Sequence, residues 1–294
     1  MRGPNPFADT PASDAEDQEL VRQAQGGSRE ALEALIRRHQ AWIYNIAVRM
    51  LFWPHDAEDT TQEILIKLIT KLSTFQGKSS FRTWLYRIVV NHVLNQKRRG
   101  WESRMTFESY DHYLDNAPDR ELPAAAAADA DTALMVEEAK IGCTSAMLLC
   151  LDREQRLVYV LGEIFGVTDV VGAELMETTR DNFRQKLARA RRDLHTFMQG
   201  KCGLVNAANP CRCSKKTASF IKQGYLDPQH LLFAREHMTR VREVAEKAHG
   251  NIDALDEAYA ELHRGHPFLE APDLVESIRE LVNRPDFKYL LEFN

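Results

Sequence analysis

DAEDTTQEILIKLITKLSTFQGKSSFRTWLYRIVVNHVLNQKRR, residues 56–99, is the stretch on which the reading of this chain turns. It holds two helix-period segments with a short loop between them. In the first, Ala57, Thr61, Ile64, Leu68 and Leu72 recur at helical spacing and form a core stripe. Asp59, Gln62, Glu63 and Ile66 fall at i, i+3, i+4 and i+7, so they share a different face. Acids around one exposed apolar residue suit a protein-docking surface; an ordinary solvated face is the plainer alternative. Residues 76–80 break the period between Phe75 and Phe81, and Ser80 is placed to cap the second helix, which Gly100 can stop. On that helix Phe81, Leu85, Ile88, Val89 and His92 point one way, with His92 read as a satisfied core histidine. Trp84, Arg87, Asn91, Asn95 and Arg98 follow a neighbouring stripe. An indole, amides and guanidiniums on one face can stack on bases and hold phosphates, although Trp84 also suits a core position.

Working upstream, residues 1–16 read as an acidic tail and residues 17–25 as a first helix closed by Gly26-Gly27. Ser28 is a good N-cap for the next, in which Leu32, Leu35, Ile36, Ile43, Ile46, Ala47 and Met50 keep helical spacing. Pro54 is expected to end it and Asp56 to cap the following helix. The N-terminus has no apolar core of a secretory signal, and no run of about 18 apolar residues occurs, so membrane insertion is not expected and the cytoplasm is the expected compartment.

Downstream, residues 105–131 read as an extended acidic linker with Pro118, Pro123 and an alanine run; only Phe107, Tyr110, Tyr113 and Leu114 offer apolar docking points. Helical periodicity resumes near Thr132. A short helix over residues 168–176, a tight turn and a basic helix over residues 179–197 have the layout of a helix-turn-helix. Phe183, Leu187, Ala190 and Leu194 would face inward, and Arg180, Arg184, Gln185 and Arg189 outward. That outward set suits reading of base edges in a major groove.

A net charge of −5 argues against a nucleic-acid binder, but the average hides segregation. Residues 75–104 carry seven Lys/Arg against one acid, residues 105–138 nine acids against one Arg, and residues 178–192 six Lys/Arg against one Asp. Two basic segments flanking an acidic one fit DNA contact at two separated places. The sequence shows no nucleotide-binding glycine loop, nucleophile triad or paired catalytic carboxylates, so an enzyme is not expected.

With both halves in view, residues 17–197 resemble the extracytoplasmic-function sigma factors of bacterial RNA polymerase. DAEDTTQEILIKL is similar to the family's clamp-binding helix, and FQGKSSFRTWLYRIVVN to its promoter-melting segment. The run to Arg99 is similar to its −10 reader, and LDREQRLVYVLGEIFGVTDVVGAELMETTRDNFRQKLARARRDL to its −35 reader. The resemblance implies an all-α protein with a region 2-like domain at residues 17–104, a linker at 105–131 and a region 4-like domain at 132–198. A helical extension at 199–294 would follow. It implies core RNA polymerase and promoter DNA as partners, and raises the question of an anti-sigma factor. Asp59, Gln62, Glu63 and Ile66 would meet the polymerase clamp. Phe75, Lys78 and Ser80 would line a pocket for a flipped base. Trp84, Arg87, Asn91, Arg98 and Arg99 would meet melted or adjoining DNA, and Arg180, Arg184, Gln185 and Arg189 would lie in the −35 groove. The linker would thread toward the active-site cleft. The chain departs from the family at Val170-Val171-Gly172, where Glu-Ile-Ala is usual, and at Asn182-Phe183, where Thr-Val is usual.

The extension adds Cys202, Cys211 and Cys213, whose crowding suits a shared zinc ion, a redox pair or plain reduced thiols. A fourth ligand is sought in His195, His230 or His237; no cofactor is required by the rest of the chain. Arg212, Lys215 and Lys216 make this segment locally basic. Residues 228–249, 252–263 and 272–282 read as helices, and the closing FKYLLEFN as apolar enough to need a partner. The extension is read as either a built-in regulator or a packing element. Two rival functions stand beside the sigma reading: a stand-alone helix-turn-helix regulator, and a metal- or redox-sensing regulator.

Overall fold

In the computed structural model, the residues described are 11–97, 100, 102–119, 130–232, 262–263, 268–269 and 271–283. They form an all-α protein, as the periodicities predict. The one β-like feature among them is an isolated bridge between Cys202 and Cys211. Two compact units emerge. One holds the described residues up to Gln96, together with Val167–Phe183 and those from Leu269 onward. The other holds Lys97–Gly166 and Arg184–Phe268.

The first unit is built on α1 (Pro11–Gln25), α2 (Arg29–Leu51), α3 (Pro54–Lys71) and α4 (Phe81–Asn95). Ser28 caps α2 by accepting from the Ala31 N–H, as expected. Pro54 behaves differently from its expected role. Phe52, at φ 74°, closes α2, and Pro54 is the first residue of α3, where its missing N–H costs nothing; Asp56 therefore lies inside the first turn and is not the cap. The stripe Ala57, Thr61, Ile64, Leu68 and Leu72 is buried throughout. A buried carboxylate ties the helices together. Asp17 accepts from Arg82 Nε at 2.7 Å, pairs with Arg38 Nε at 2.6 Å and faces His39 Nε2 at 3.5 Å. Burial pushes its carboxyl up, but the bonds and charges of His39 and Arg82 outweigh this and hold it below the usual range.

Residues 269 and 271–283 also belong to this unit. Leu269 and Ala271 pack on Tyr44, Ala47, Val48 and Ala57. Asn45 exchanges two hydrogen bonds with the Leu269 backbone, donating to its carbonyl at 2.7 Å and accepting from its N–H at 3.0 Å. The last described helix, α11 (Leu274–Asn283), buries Leu274, Val275 and Ile278, and Arg279 forks onto Glu33. Most of residues 228–263, the closing FKYLLEFN, and Arg98 and Arg99 lie outside the described residues.

The second unit contains α5 (Phe107–Asn116), α6 (Ala130–Leu149), α7 (Arg153–Tyr159), most of α9 (Arg180–Lys201) and α10 (Cys213–Lys222). The segment expected to be an extended linker therefore begins as a helix. A reciprocal capping box between Thr106 and Ser109 opens α5, and Tyr110 and Leu114, one turn apart, are buried. Glu102 is also buried and binds Arg153 at 2.9 and 2.6 Å and Arg156 at 3.1 Å. Arg156 further donates to the carbonyls of Leu148, Leu149 and Leu151, satisfying the end of α6. Lys216 of α10 is buried and caps α5 through the Leu114 and Ala117 carbonyls at 2.7 and 2.6 Å. Arg212 donates to the carbonyls of Ala207, Asn209 and Cys211. Neither residue contributes to the basic surface expected of this segment; both hold backbone.

Candidate polymerase and nucleic-acid interface

On α3, Asp59 and Glu63 are exposed and Gln62 and Ile66 half-buried, so the four share an accessible face as their spacing predicts. That face is coupled to α4 through His92. Lys67 Nζ meets His92 Nδ1 at 2.6 Å, and Nε2 faces the Glu63 carboxylate at 3.2 Å. Burial, then the Lys67 ammonium, holds the imidazole below its ordinary value. A neutral ring that accepts from Lys67 and donates toward Glu63 fits both contacts. The core-histidine reading is met, and it also fixes the spacing between α3 and α4.

The loop between them is braced at its entry. Gln25 Nε2 donates to the carbonyls of Leu72 at 2.8 Å and Phe75 at 3.1 Å. Gly77 takes φ +67°, a left-handed turn that a side chain would strain. Ser80 caps α4, accepting from the Thr83 N–H at 3.1 Å and donating to Thr83 Oγ1 at 3.0 Å. Phe75, Phe81 and Trp84 form one aromatic cluster. Ring centroids are 5.7 Å apart for Phe75–Phe81, 5.4 Å for Phe75–Trp84 and 5.8 Å for Phe81–Trp84. Phe81 is the buried member; Phe75 and Trp84 stay half-buried beside exposed Gln76 and Lys78. Trp84 is thus neither a core residue nor a free indole. It is a ring held in place with part of its surface available, which is what stacking on an unpaired base requires.

Farther along α4, Asn91 and Asn95 are exposed. Arg87 is engaged: its guanidinium pairs with Glu174 at 3.1 Å. Glu174 belongs to α8 (Asp169–Leu175), the first helix of the helix-turn-helix, which packs on α4 within the same unit.

The helix-turn-helix forms as expected. Thr168 caps α8, Glu177 turns the chain at φ +49°, and Thr179 accepts from the Asn182 N–H at 3.2 Å to start α9. The family departures explain each other. Gly172 lies under the Phe183 ring so closely that a Cβ there would overlap it. The larger ring at 183 occupies the room that the missing side chain at 172 leaves. Along α9, Phe183, Ala190, Leu194 and Met198 are buried. From α7, Glu154 pairs with Lys186 and Gln155 donates to Asp193 at 3.2 Å; Glu163, just beyond α7, pairs with Arg191, so this segment holds one flank. Arg180, Arg184, Gln185 and Arg189 are all exposed. Sequence reasoning did not find Glu102, Arg153 and Arg156, which mount α7, nor the Glu174 contact; both depend on pairs far apart in the chain.

Residues 35–103 match the family model described as Sigma-70 region 2. The segment carrying the acidic face, the aromatic loop and α4 is thus a sigma region 2 domain. The RNA polymerase sigma-H factor of Pseudomonas aeruginosa is 29% identical over 188 residues, covering 63% of this chain and 94% of that protein. The ECF RNA polymerase sigma-E factor of Escherichia coli is 27% identical over 188 residues, covering 62% of this chain and 94% of that one. These comparisons support placing the chain among the extracytoplasmic-function sigma factors. A solved structure, CnrH in complex with the cytosolic domain of CnrY, aligns at a TM-score of 0.44 and 21% identity, covering 63% of this chain and 97% of that one. No helix among the described residues is long and apolar enough to cross a membrane.

Proposed function

We propose that this chain binds core RNA polymerase, brings it to promoter DNA and opens the duplex, acting in the cytoplasm as an initiation factor without catalytic chemistry of its own. The observation that carries this is the half-buried Phe75–Trp84 pair on a braced loop, one histidine link away from an accessible acidic face. Asp59, Gln62, Glu63 and Ile66 dock on the polymerase clamp. Phe75, Lys78, Ser80 and Trp84 hold a base flipped from the non-template strand, offsetting the few kcal/mol that unstacking costs. Arg87 and Asn91, with Arg98 and Arg99, hold the phosphates beside it. Arg180, Arg184, Gln185 and Arg189 read the −35 groove.

The Arg87–Glu174 pair supports a further element of this reading: in the free protein part of the DNA-facing stripe of α4 is covered by α8. Release of α8 then accompanies DNA binding, and an anti-sigma partner would act by preventing it. The C-terminal segment that grips α2 through Asn45 and Glu33 is the part of the extension placed to tune region 2.

In vitro transcription with core polymerase tests the proposal. The full chain should support promoter-dependent initiation, and Asp59→Lys/Glu63→Lys should abolish it together with polymerase capture. Promoter binding by the isolated chain with no effect on polymerase would instead favour a stand-alone regulator.

A further inference from the structure

The family match begins at residue 35, so α1 lies upstream of it. Yet α1 reaches both feet of the aromatic loop. At the entry, Gln25 Nε2 donates to the carbonyls of Leu72 and Phe75, the two residues whose own N–H to carbonyl bond closes the short turn after α3. At the exit, Arg82, in the first turn of α4, donates Nε to Asp17 at 2.7 Å. Asp17 and Gln25 are eight residues apart on α1, about 12 Å at 1.5 Å per residue. One rod therefore sets the separation between the two ends of the loop that carries Phe75.

The rod is itself fixed near both points. Asp17 is buried and also pairs with Arg38 of α2 at 2.6 Å. Behind Gln25 the helix closes in a Schellman pattern. The Ser28 N–H donates to the Gln23 carbonyl at 2.9 Å, the Gly27 N–H to the Ala24 carbonyl at 3.0 Å, and Gly27 takes φ +95°. The same Ser28 caps α2. Gln25 is thus the last helical residue before a tightly bonded joint, and its amide reaches the loop from a fixed backbone. It is exposed, so its amide serves these two carbonyls rather than the packing of the domain. Gln23, exposed on the same helix, turns its amide to Glu19 at 2.7 Å instead.

A surface for an unstacked base works best when it is ordered before the base arrives, because ordering it at capture adds to the cost of flipping. Holding the Phe75 carbonyl keeps its ring 5.4 Å from Trp84 and 5.7 Å from Phe81.

We propose that α1 is the strut that preorganises the base-capturing loop, and that Gln25 is its positioning residue. It touches no DNA; it fixes the Phe75 backbone so that the ring is in place beforehand. The inference rests on the reading of this loop as the site of base capture. It gives strand opening a requirement that lies outside the matched region 2 segment, and it separates opening from docking.

The test uses the full chain with core RNA polymerase on a duplex fragment that the wild-type complex selects from a random-sequence pool. The same fragment, premelted by mismatches across its opened segment, is run beside it. Gln25→Met keeps the length of the side chain and its helix propensity and removes the donor. Read by permanganate reactivity of unpaired thymines, it should slow opening of the duplex by about five- to tenfold. Initiation from the premelted fragment should change by less than about twofold, because unstacking has already been done there. Gln23→Met should match wild type on both. In the free full chain, amide exchange across residues 73–80 should quicken in Gln25→Met and not in Gln23→Met, a readout that needs neither polymerase nor DNA. Gln25→Met that opens the duplex as fast as wild type, or leaves exchange unchanged, overturns the inference. So does an equal loss on duplex and premelted fragments, which simple destabilisation would produce. A wild-type complex that selects or opens no fragment overturns the reading beneath it as well.

Discussion

The two surfaces proposed to face DNA are built in opposite ways. The loop and α4 depend on packing: Phe75 and Trp84 are held against buried Phe81, the loop entry is pinned by Gln25, and Ser80 fixes the start of the helix. The outward side of α9 needs no pocket. The residues proposed to read the groove are exposed, and the structural investment lies underneath, in Phe183 against Gly172 and in the ion pairs of Lys186 with Glu154 and Arg191 with Glu163. The difference follows from the targets. An unstacked base must be offered a ready surface, because ordering the pocket at the moment of capture would add to the cost of flipping. A major groove is already rigid, so a straight helix with free-reaching side chains suffices.

The comparison breaks most severely if the mounting of α9 is removed. Phe183→Ala should destabilise the chain by about 3–5 kcal/mol in urea unfolding, and Gly172→Ala should also destabilise it, by about 1–3 kcal/mol, because its Cβ would overlap the Phe183 ring and force the ring to shift. Combining Gly172→Ala with Phe183→Leu should recover part of the loss, the signature of two coupled residues. Glu102→Gln comes next, at about 3 kcal/mol, since it leaves Arg153 and Arg156 with a buried charge imbalance. The same residue sets an acid limit. Burial raises its carboxyl, but the two arginines outweigh this and hold it below the ordinary glutamate value of 4.5. Its stabilisation is therefore complete above that value and is lost as pH falls through the lower folded-state value. The Glu102→Gln chain should show a shallower acid unfolding profile; Asp17, depressed in the same way, contributes to the part that remains.

On the other surface, Trp84→Ala should cost about 1–3 kcal/mol in binding of single-stranded promoter DNA and slow opening by a similar factor. Duplex −35 binding and stability should stay near wild type. Arg189→Ala should do the reverse, weakening duplex binding by about 1 kcal/mol and lowering its salt slope by about one ion. If both variants reduced both activities equally, the division of labour would be wrong. The smallest effect belongs to Glu174→Ala. It removes a half-exposed ion pair worth less than about 1 kcal/mol, and should raise single-strand binding slightly by uncovering Arg87.

What was legible in the sequence was local. The core stripe of α3, the Ser28 and Ser80 caps and the helix-turn-helix all announce themselves within one or two turns. So did α5, in retrospect: Thr106, Ser109, Tyr110 and Leu114 carry a capping box and an i, i+4 apolar pair, but the surrounding proline, alanine and acid content masked it. What was hidden involves distant partners. Gly172 reads as a defect until Phe183 is seen over it. Lys216 reads as surface charge until its two carbonyls are found. Nothing near Arg87 in sequence reveals Glu174 as its partner.

One helix joins much of this. α9 runs without interruption for 22 residues, about 33 Å at 1.5 Å per residue, and ends one residue before Cys202. Its first turns carry Arg180, Arg184 and Gln185, the side chains proposed to face a DNA groove, and Cys202 follows its last turn. Such a rod is a lever. A tilt of about 3° at the sulfur end carries the reading end nearly 2 Å over that length, enough to take a side chain out of hydrogen-bond range. Register on a groove would therefore be mechanically exposed to any shift at the far end of the helix.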